Sequence, residues 1–292
     1  MIGIDVGGSH IKAVRLVGAE VRDRREIERS EDRWLEQTID LIKTFNSEEP
    51  VGVGLAGLVD HRAGRLIWAP HIRSVDVDVG SALGRSLGRV VAVDNDANCA
   101  ALAESRLGSG VGADTVVVIM VGTGIGMGLV VGGRLFRGRA LAGEAGHMTM
   151  VPRGLRCPCG RQGCWETVIS GWRLAEQWGT GRTRATASAM ARAARSGDRR
   201  AHALLEEAGR WLGRGLANLI ALLDPDVVVV GGGVIAGGGE EILAPARSEI
   251  GYLLEGADHR EVTPVVAGAF GMWAGAVGAA LMSAATSSDD LS

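Results

Sequence analysis

Residues 146–166, GHMTMVPRGLRCPCGRQGCWE, place Cys157, Cys159 and Cys164 within eight positions and His147 just upstream; Cys99 is the only other cysteine in the chain. In a reducing compartment, clustered thiols bind metal or do redox chemistry more often than they form structural disulfides, so the stretch reads as a metal site. A second group stands at VDNDANC, where Asp94, Asn95 and Asp96 sit between an apolar strand and a helical pattern. Asp and Asn at such a junction are favoured N-caps. A carboxylate there would also be held ionised by the helix dipole, which suits accepting a proton from a substrate hydroxyl. Local sequence leaves both readings open, with capping the commoner.

Glycine-rich turns after buried strands form a third group: Asp5 to Ser9, Gly122 to Gly128, and Gly231 to Gly233. Such turns expose backbone N–H groups that can cradle phosphate oxygens, and glycine lets a phosphate approach without a Cβ in the way. GTGIGMG misses the dinucleotide pattern G-x-G-x-x-G by one position, and G-x-x-x-x-G-K-[ST] does not occur. A Rossmann dehydrogenase and a P-loop enzyme are therefore disfavoured. Three phosphate-type turns, one preceded by the strand-end Asp5, point to nucleotide binding.

The elements that must position these groups follow from periodicity. MIGIDVGGSHIKAVRLVGAEV runs strand, glycine turn, strand, glycine turn, and TVVVIMVGTGIGMGLVVGGRLF repeats that order. Two matching hairpins, each opening a run of strands and helices, suggest a duplicated α/β unit with a cleft between the copies. DRWLEQTIDLIKTF and the stretch 198–223 have helical spacing, the latter closed by Asp224-Pro225. DVVVVGGG reads as a buried strand entering a glycine loop.

Composition narrows the function classes. With 292 residues, two domains sharing a cleft are expected. The net charge of −3 gives no overall attraction to nucleic acid or anionic membrane. The 31 basic residues are 29 arginines with only Lys12 and Lys43, which looks like a codon bias. No long charge-free apolar run and no signal-peptide pattern occur, so a cytoplasmic protein without a membrane partner is expected.

Taken together, DVGGSHIK, VDNDANCAALAE, GTGIGMG, GEAGHM and CPCGRQGCWE resemble, in order and spacing, the ROK family of sugar kinases and repressors. The resemblance runs from about Ile2 to Met282. It implies an α/β protein with the two-domain actin-like, ribonuclease H-like ATPase fold and an interdomain cleft. Residues 1–112 would form a smaller domain onto which 271–283 pack back, 113–270 a larger one with the metal loop, and 284–292 a disordered tail.

The resemblance also assigns roles. His147, Cys157, Cys159 and Cys164 would hold one structural Zn²⁺. Asn95, Asp96, Glu144, His147 and Glu166 match residues that contact sugar hydroxyls, and Gly57 lies in a loop that closes over the sugar. Asp96 matches the general base. Asp5 would help position Mg²⁺ with ATP; Gly7, Gly8, Ser9 and Lys12 would face Gly122, Thr123 and Gly124 around the phosphates; Gly231, Gly232 and Gly233 would lie on the adenosine side.

The implied activity is ATP-dependent phosphorylation of a hexose at its 6-hydroxyl. APH at 69–71 and the full cysteine motif look closer to the family's glucokinases than to its fructokinases, and the cysteine motif makes a polyphosphate donor less expected. Amino-sugar kinases for N-acetylmannosamine or N-acetylglucosamine share nearly all these motifs, and a non-catalytic sugar-binding regulator is a further alternative. A repressor is disfavoured because the first strand begins at residue 2 and no basic patch replaces a DNA-binding domain. The family resemblance implies a homodimer or homotetramer.

Overall fold

The computed structural model describes residues 1–70, 72, 74–179, 186–254, 256, 259 and 261–285. The first half begins with β1 (Ile2–Val6), β2 (His10–Val17) and β3 (Glu20–Glu28), an antiparallel meander. Helix α1 (Trp34–Lys43) follows and buries Trp34, Thr38, Leu41 and Ile42, a spacing of three to four residues that puts one stripe against the sheet. Next come β4 (Val51–Leu55), a small antiparallel sheet of β5 (Leu58–Asp60), β6 (Arg65–Ala69) and β7 (Ser74–Asp78), and α2 (Val79–Leu87). Strand β8 (Val91–Asn95) then runs directly into α3 (Asp96–Leu107), which is capped at its C-terminus by Gly108.

The second half repeats the plan. Strands β9 (Val116–Val121), β10 (Ile125–Val131) and β11 (Arg134–Leu135) form the meander. The metal-motif loop and α4 (Gly171–Trp178), α5 (Thr186–Arg195) and α6 (Arg199–Leu223) lead to β12 (Val227–Gly231). Asp198 caps α6 by accepting the N–H groups of Arg200 and Ala201. Helices α7 (Gly233–Gly238) and α8 (Glu240–Leu253), strand β13 (Val265–Ala267) and helix α9 (Ala274–Ala285) complete the chain.

The two main sheets have the orders β3-β2-β1-β4-β8 and β11-β10-β9-β12-β13. In each, a hairpin-linked antiparallel trio is extended by two parallel strands, which is the ribonuclease H-like arrangement that the resemblance implied. The all-apolar β9 and β12 are buried along their parallel pairing apart from half-buried Met120, as continuous Val/Ile runs require. Each sheet heads its own hydrophobic core.

Helix α9 crosses from the second sheet to lie over β1 and β4 of the first. Gly3 and Gly52 make that approach possible, since a Cβ at either would collide with the carbonyl oxygens of Ala276 or Ala279. The helix differs slightly from the sequence reading. Gly271–Trp273 form a separate 3₁₀ turn, and the helix continues through Ala284 and Ala285, residues assigned to the tail, because alanine favours helix. The rest of that tail, 286–292, lies outside the described residues, as does His71 of the APH stretch.

Candidate active site

A cleft of about 240 Å³ opens between the strand ends of the two sheets. On one wall Asp5, near the end of β1, is followed by the turn Gly7-Gly8-Ser9; on the other, Gly122-Thr123-Gly124 turns β9 into β10. Both turns are braced. The Gly7 N–H donates to His10 O at 3.0 Å, the Gly122 N–H to Gly124 O at 2.9 Å, and the Arg29 guanidinium donates twice to Gly8 O, at 2.7 and 3.1 Å. Lys12 lines the cleft with its ammonium 3.3 Å from Asp5 Oδ2, so it is an ion-paired wall residue rather than a solvated strand-end lysine.

Gly232 and Gly233 line the same cleft, where β12 gives way to α7. Gly232 has φ +90°, and a Cβ there would stand 2.5 Å from Val121 O, so only glycine fits. Gly231 corrects the sequence reading. It is the buried last residue of β12, it does not reach the cleft, and a Cβ there would meet the Met120 sulfur at 2.9 Å. Its glycine serves packing against Met120 behind the cleft wall.

Asn95, Asp96, Gly57, Glu144, His147 and Glu166 all converge on the cleft. The junction of β8 and α3 separates the roles that sequence left open. Asn95 is the N-cap, its Oδ1 accepting the N–H groups of Ala97 at 2.8 Å and Asn98 at 3.1 Å while Nδ2 donates to Gly57 O at 3.0 Å. Asp94 is withdrawn from the cleft, only 2% exposed, and paired with Arg137. Asp96 is left to face the cleft. Its Oδ1 accepts the Ala97 N–H at 2.9 Å, and Oδ2 has no hydrogen-bond partner among the described residues.

The charge state of Asp96 differs from the sequence expectation. The helix start suggested a carboxylate held ionised, but poor solvation pushes its pKa up to about 7, with the negative charges of Asp5 and Glu144 adding to the rise and the Ala97 N–H and Lys12 opposing it. Desolvation outweighs the helix start. Glu144 is likewise raised, by burial and then by Glu166.

His147, Cys157, Cys159 and Cys164 bring one ligand atom each to within 4.8 Å of one another. Cys157 Sγ lies 3.7 Å from His147 Nδ1, and Cys159 Sγ lies 3.6 Å from Cys164 Sγ. Ligands about 2.0–2.3 Å from a tetrahedral centre would be separated by roughly 3.3–3.8 Å, so the residues fit a zinc ion with four protein ligands. Burial and the Glu166 carboxylate push the Cys157 thiol upward, and its ionisation therefore calls for a cation in the cluster. With Nδ1 turned to the thiols, His147 Nε2 faces the Glu144 carboxylate at 3.8 Å. Glu166, 2% exposed, accepts from Cys157 Sγ at 3.0 Å, so the cluster touches two cleft residues directly.

Sequence reasoning missed Arg137 and the role of Glu104. Glu104, 1% exposed, accepts the N–H groups of Ser109, Ala269 and Phe270, each at 3.0 Å, and thereby fastens the end of α3 to the segment entering α9. It lay inside the VDNDANCAALAE motif, but two of its three partners are 165 and 166 residues away and leave no local signal. Among the described residues no helix is long and apolar enough to cross a membrane.

Two phosphate-type loops facing a polar carboxylate-rich pocket across the cleft of a duplicated ribonuclease H-like fold define a sugar kinase of the actin-like ATPase class. Residues 1–286 match the ROK family, and the chain belongs to it. The glucokinase of Streptomyces coelicolor is 36% identical over 250 residues, covering 79% of this chain and 78% of its own. The structure of a ROK glucokinase from Streptomyces griseus, in complex with glucose and AMPPNP, superposes with TM-score 0.89 at 34% identity, covering 97% of this chain and 98% of that one. The family's other branch is also similar: the xylose repressor of Bacillus subtilis is 29% identical over 242 residues, which cover 78% of this chain and 63% of the repressor.

Proposed function

We propose that this kinase transfers the γ-phosphoryl group of ATP to the 6-hydroxyl of glucose, with Asp96 as general base. The observation that carries the reading is the position of Asp96, with one carboxylate oxygen turned into the cleft between the phosphate loops and the sugar-facing polar groups. Its pKa near 7 matches the task, because a base is most effective when it is ionised at working pH yet still binds a proton well. Similarity to glucokinases that span the same fold supports glucose as the acceptor.

Asn95, Glu144, His147 Nε2 and Glu166 form the polar rim that orients the hexose and presents its primary hydroxyl to Asp96. A polar rim that bound sugar shields from water discriminates strongly, since a wrong epimer leaves its groups unpaired. Gly57 closes the rim from the β4–β5 turn, and its carbonyl fixes the Asn95 amide. The backbone turns at Gly7–Ser9 and Gly122–Gly124 hold the phosphates from opposite sides, and Gly232-Gly233 border the nucleoside. Asp5 and Lys12 flank the transferred group, with Asp5 the residue that would hold Mg²⁺, whose charge neutralises the phosphates in transfer. Zn²⁺ on His147, Cys157, Cys159 and Cys164 would be structural, fixing the His147 ring and the loop that carries it.

Residues 1–112 with the C-terminal helix, and residues 113–270, are the two bodies that close on the substrates and exclude water. Initial-rate measurements with ATP across glucose, mannose, fructose, glucosamine, N-acetylglucosamine and N-acetylmannosamine, with polyphosphate as alternative donor, test the assignment. The expected result is a strong preference for glucose with ATP. A higher kcat/KM for an acetylated amino sugar would move the specificity to that branch of the family. No turnover of any sugar would favour a sugar-binding regulator.

A further inference from the structure

We infer that Arg137 is a positioning residue for sugar binding: it ties the loop carrying Glu144 to the strand–helix junction carrying Asp96, across the two halves of the molecule. Arg137 follows β11 of the second sheet, and its Nε donates to Oδ2 of Asp94, on β8 of the first sheet, at 2.7 Å. Both partners are shielded, Arg137 at 17% and Asp94 at 2% exposure. The other oxygen of Asp94 accepts the N–H of Asn95 at 2.7 Å and Nδ2 of Asn98 at 2.9 Å. One carboxylate therefore organises the start of α3, where Asp96 stands, and holds the guanidinium of the opposite half.

The loop depends on this tether. Phe136, Gly138, Arg139 and Leu141 are exposed, so Arg137 is the charged side chain that turns inward from this stretch. Its own carbonyl accepts the N–H groups of Ala140 at 2.9 Å and Ala142 at 3.2 Å, which winds the turn around the anchored residue. Ala140 takes φ +143°, a value that favours glycine, and such strain persists only when surrounding contacts impose it. Gly143 is then wedged against Met127 O with no room for a Cβ, and Glu144 follows at the cleft. His61, beside the pair, is shifted towards its neutral form by burial and by Arg137, which leaves Arg137 as the cation facing Asp94. A charge-assisted hydrogen bond of 2.7 Å between two shielded groups is stronger than a neutral one and fixes the distance between the loop and the junction.

The inference rests on the assignment of Glu144 to the sugar rim. Four variants test it by steady-state kinetics and thermal unfolding, using ATP and the sugar phosphorylated best in the panel above. Arg137→Met removes the tether and is expected to raise the sugar KM at least tenfold, with the ATP KM within twofold and kcat at saturating sugar within threefold of wild type. Arg137→Lys, which keeps a cation for Asp94, is expected to recover most of the sugar KM. Because Arg137→Met leaves a buried carboxylate unpaired and can cost stability, Asp94→Asn/Arg137→Met provides a folded comparison without that charge. The double variant is expected to regain thermal stability but keep the raised sugar KM. A sugar KM within twofold of wild type in either tetherless variant would overturn the inference and leave the pair a purely structural contact. Glu144→Gln separates the two levels: an unchanged sugar KM there overturns the assignment of Glu144, whereas a raised one together with a normal Arg137→Met overturns the tether alone.

Discussion

Asn95 caps the helix that Asp96 begins, and that division of labour leaves Asp96 able to act on a substrate. The Asn95 amide oxygen accepts the N–H groups of Ala97 and Asn98, the first of them shared with Asp96 Oδ1, and its nitrogen is spent on Gly57 O. Asp96 retains one oxygen turned to the cleft and a pKa raised to about 7.

A pH profile follows from that value. A base must be ionised to accept a proton, so kcat/KM for the sugar should climb about tenfold per pH unit below pH 7 and level off above it. The same shift acts on stability. Asp96 is ionised in the unfolded chain above its ordinary value of 3.8 but holds its proton in the native state up to about 7, so its contribution declines as pH rises between those values. Asp96→Asn should therefore unfold above the wild-type Tm at pH 8, by about 2–4 °C for each kcal/mol relieved. A lower Tm would contradict the raised pKa.

The cysteine cluster predicts one zinc per chain in protein purified without chelator. Cys159→Ser should lower the zinc content and the Tm and should raise the sugar KM by about tenfold, because His147 belongs to the cluster and Glu166 touches it. Elemental analysis beside kinetics checks it. Full zinc loss with an unchanged sugar KM would separate the cluster from the cleft.

Gly232→Ala should raise the ATP KM at least tenfold and spare sugar affinity, since alanine fits neither φ +90° nor the 2.5 Å approach to Val121 O. Gly231→Ala gives a different readout. A Cβ behind the wall strains packing at Met120, so Tm should fall while the ATP KM stays within twofold.

Glu104→Ala should cost about 2–4 kcal/mol in denaturant unfolding, because three part-buried N–H donors lose the one buried carboxylate that they share. Glu104→Gln keeps one acceptor and should cost less. Equal stability of wild type and Glu104→Ala would show that the α3 anchor is dispensable.

The repeated hairpins, the glycine turns and the cysteine cluster were legible in sequence because each is written within about twenty residues, in glycine or cysteine spacing and apolar runs. The long helix α6 was legible for the same reason, from Asp198 at one end to Asp224-Pro225 at the other. The partition of Asp94, Asn95 and Asp96 was not, because all three can cap a helix and only the fold turns one toward Arg137 and another toward the cleft. The pKa of Asp96 was misjudged for a related reason: the dipole is local and visible, whereas the burial that outweighs it is tertiary. Arg137 was hidden among 29 arginines, and nothing local marks the one whose partner lies 43 residues upstream.

The central claim is tested most directly by measuring glucose phosphorylation by Asp96→Asn beside wild type, with glucose affinity of both taken from calorimetry. The proposed mechanism predicts a kcat reduced by a factor on the order of 10²–10⁴, with the glucose Kd within about threefold of wild type, because the amide keeps the hydrogen bond but cannot take the proton. Wild-type turnover in a folded Asp96→Asn variant would contradict the assignment of the base.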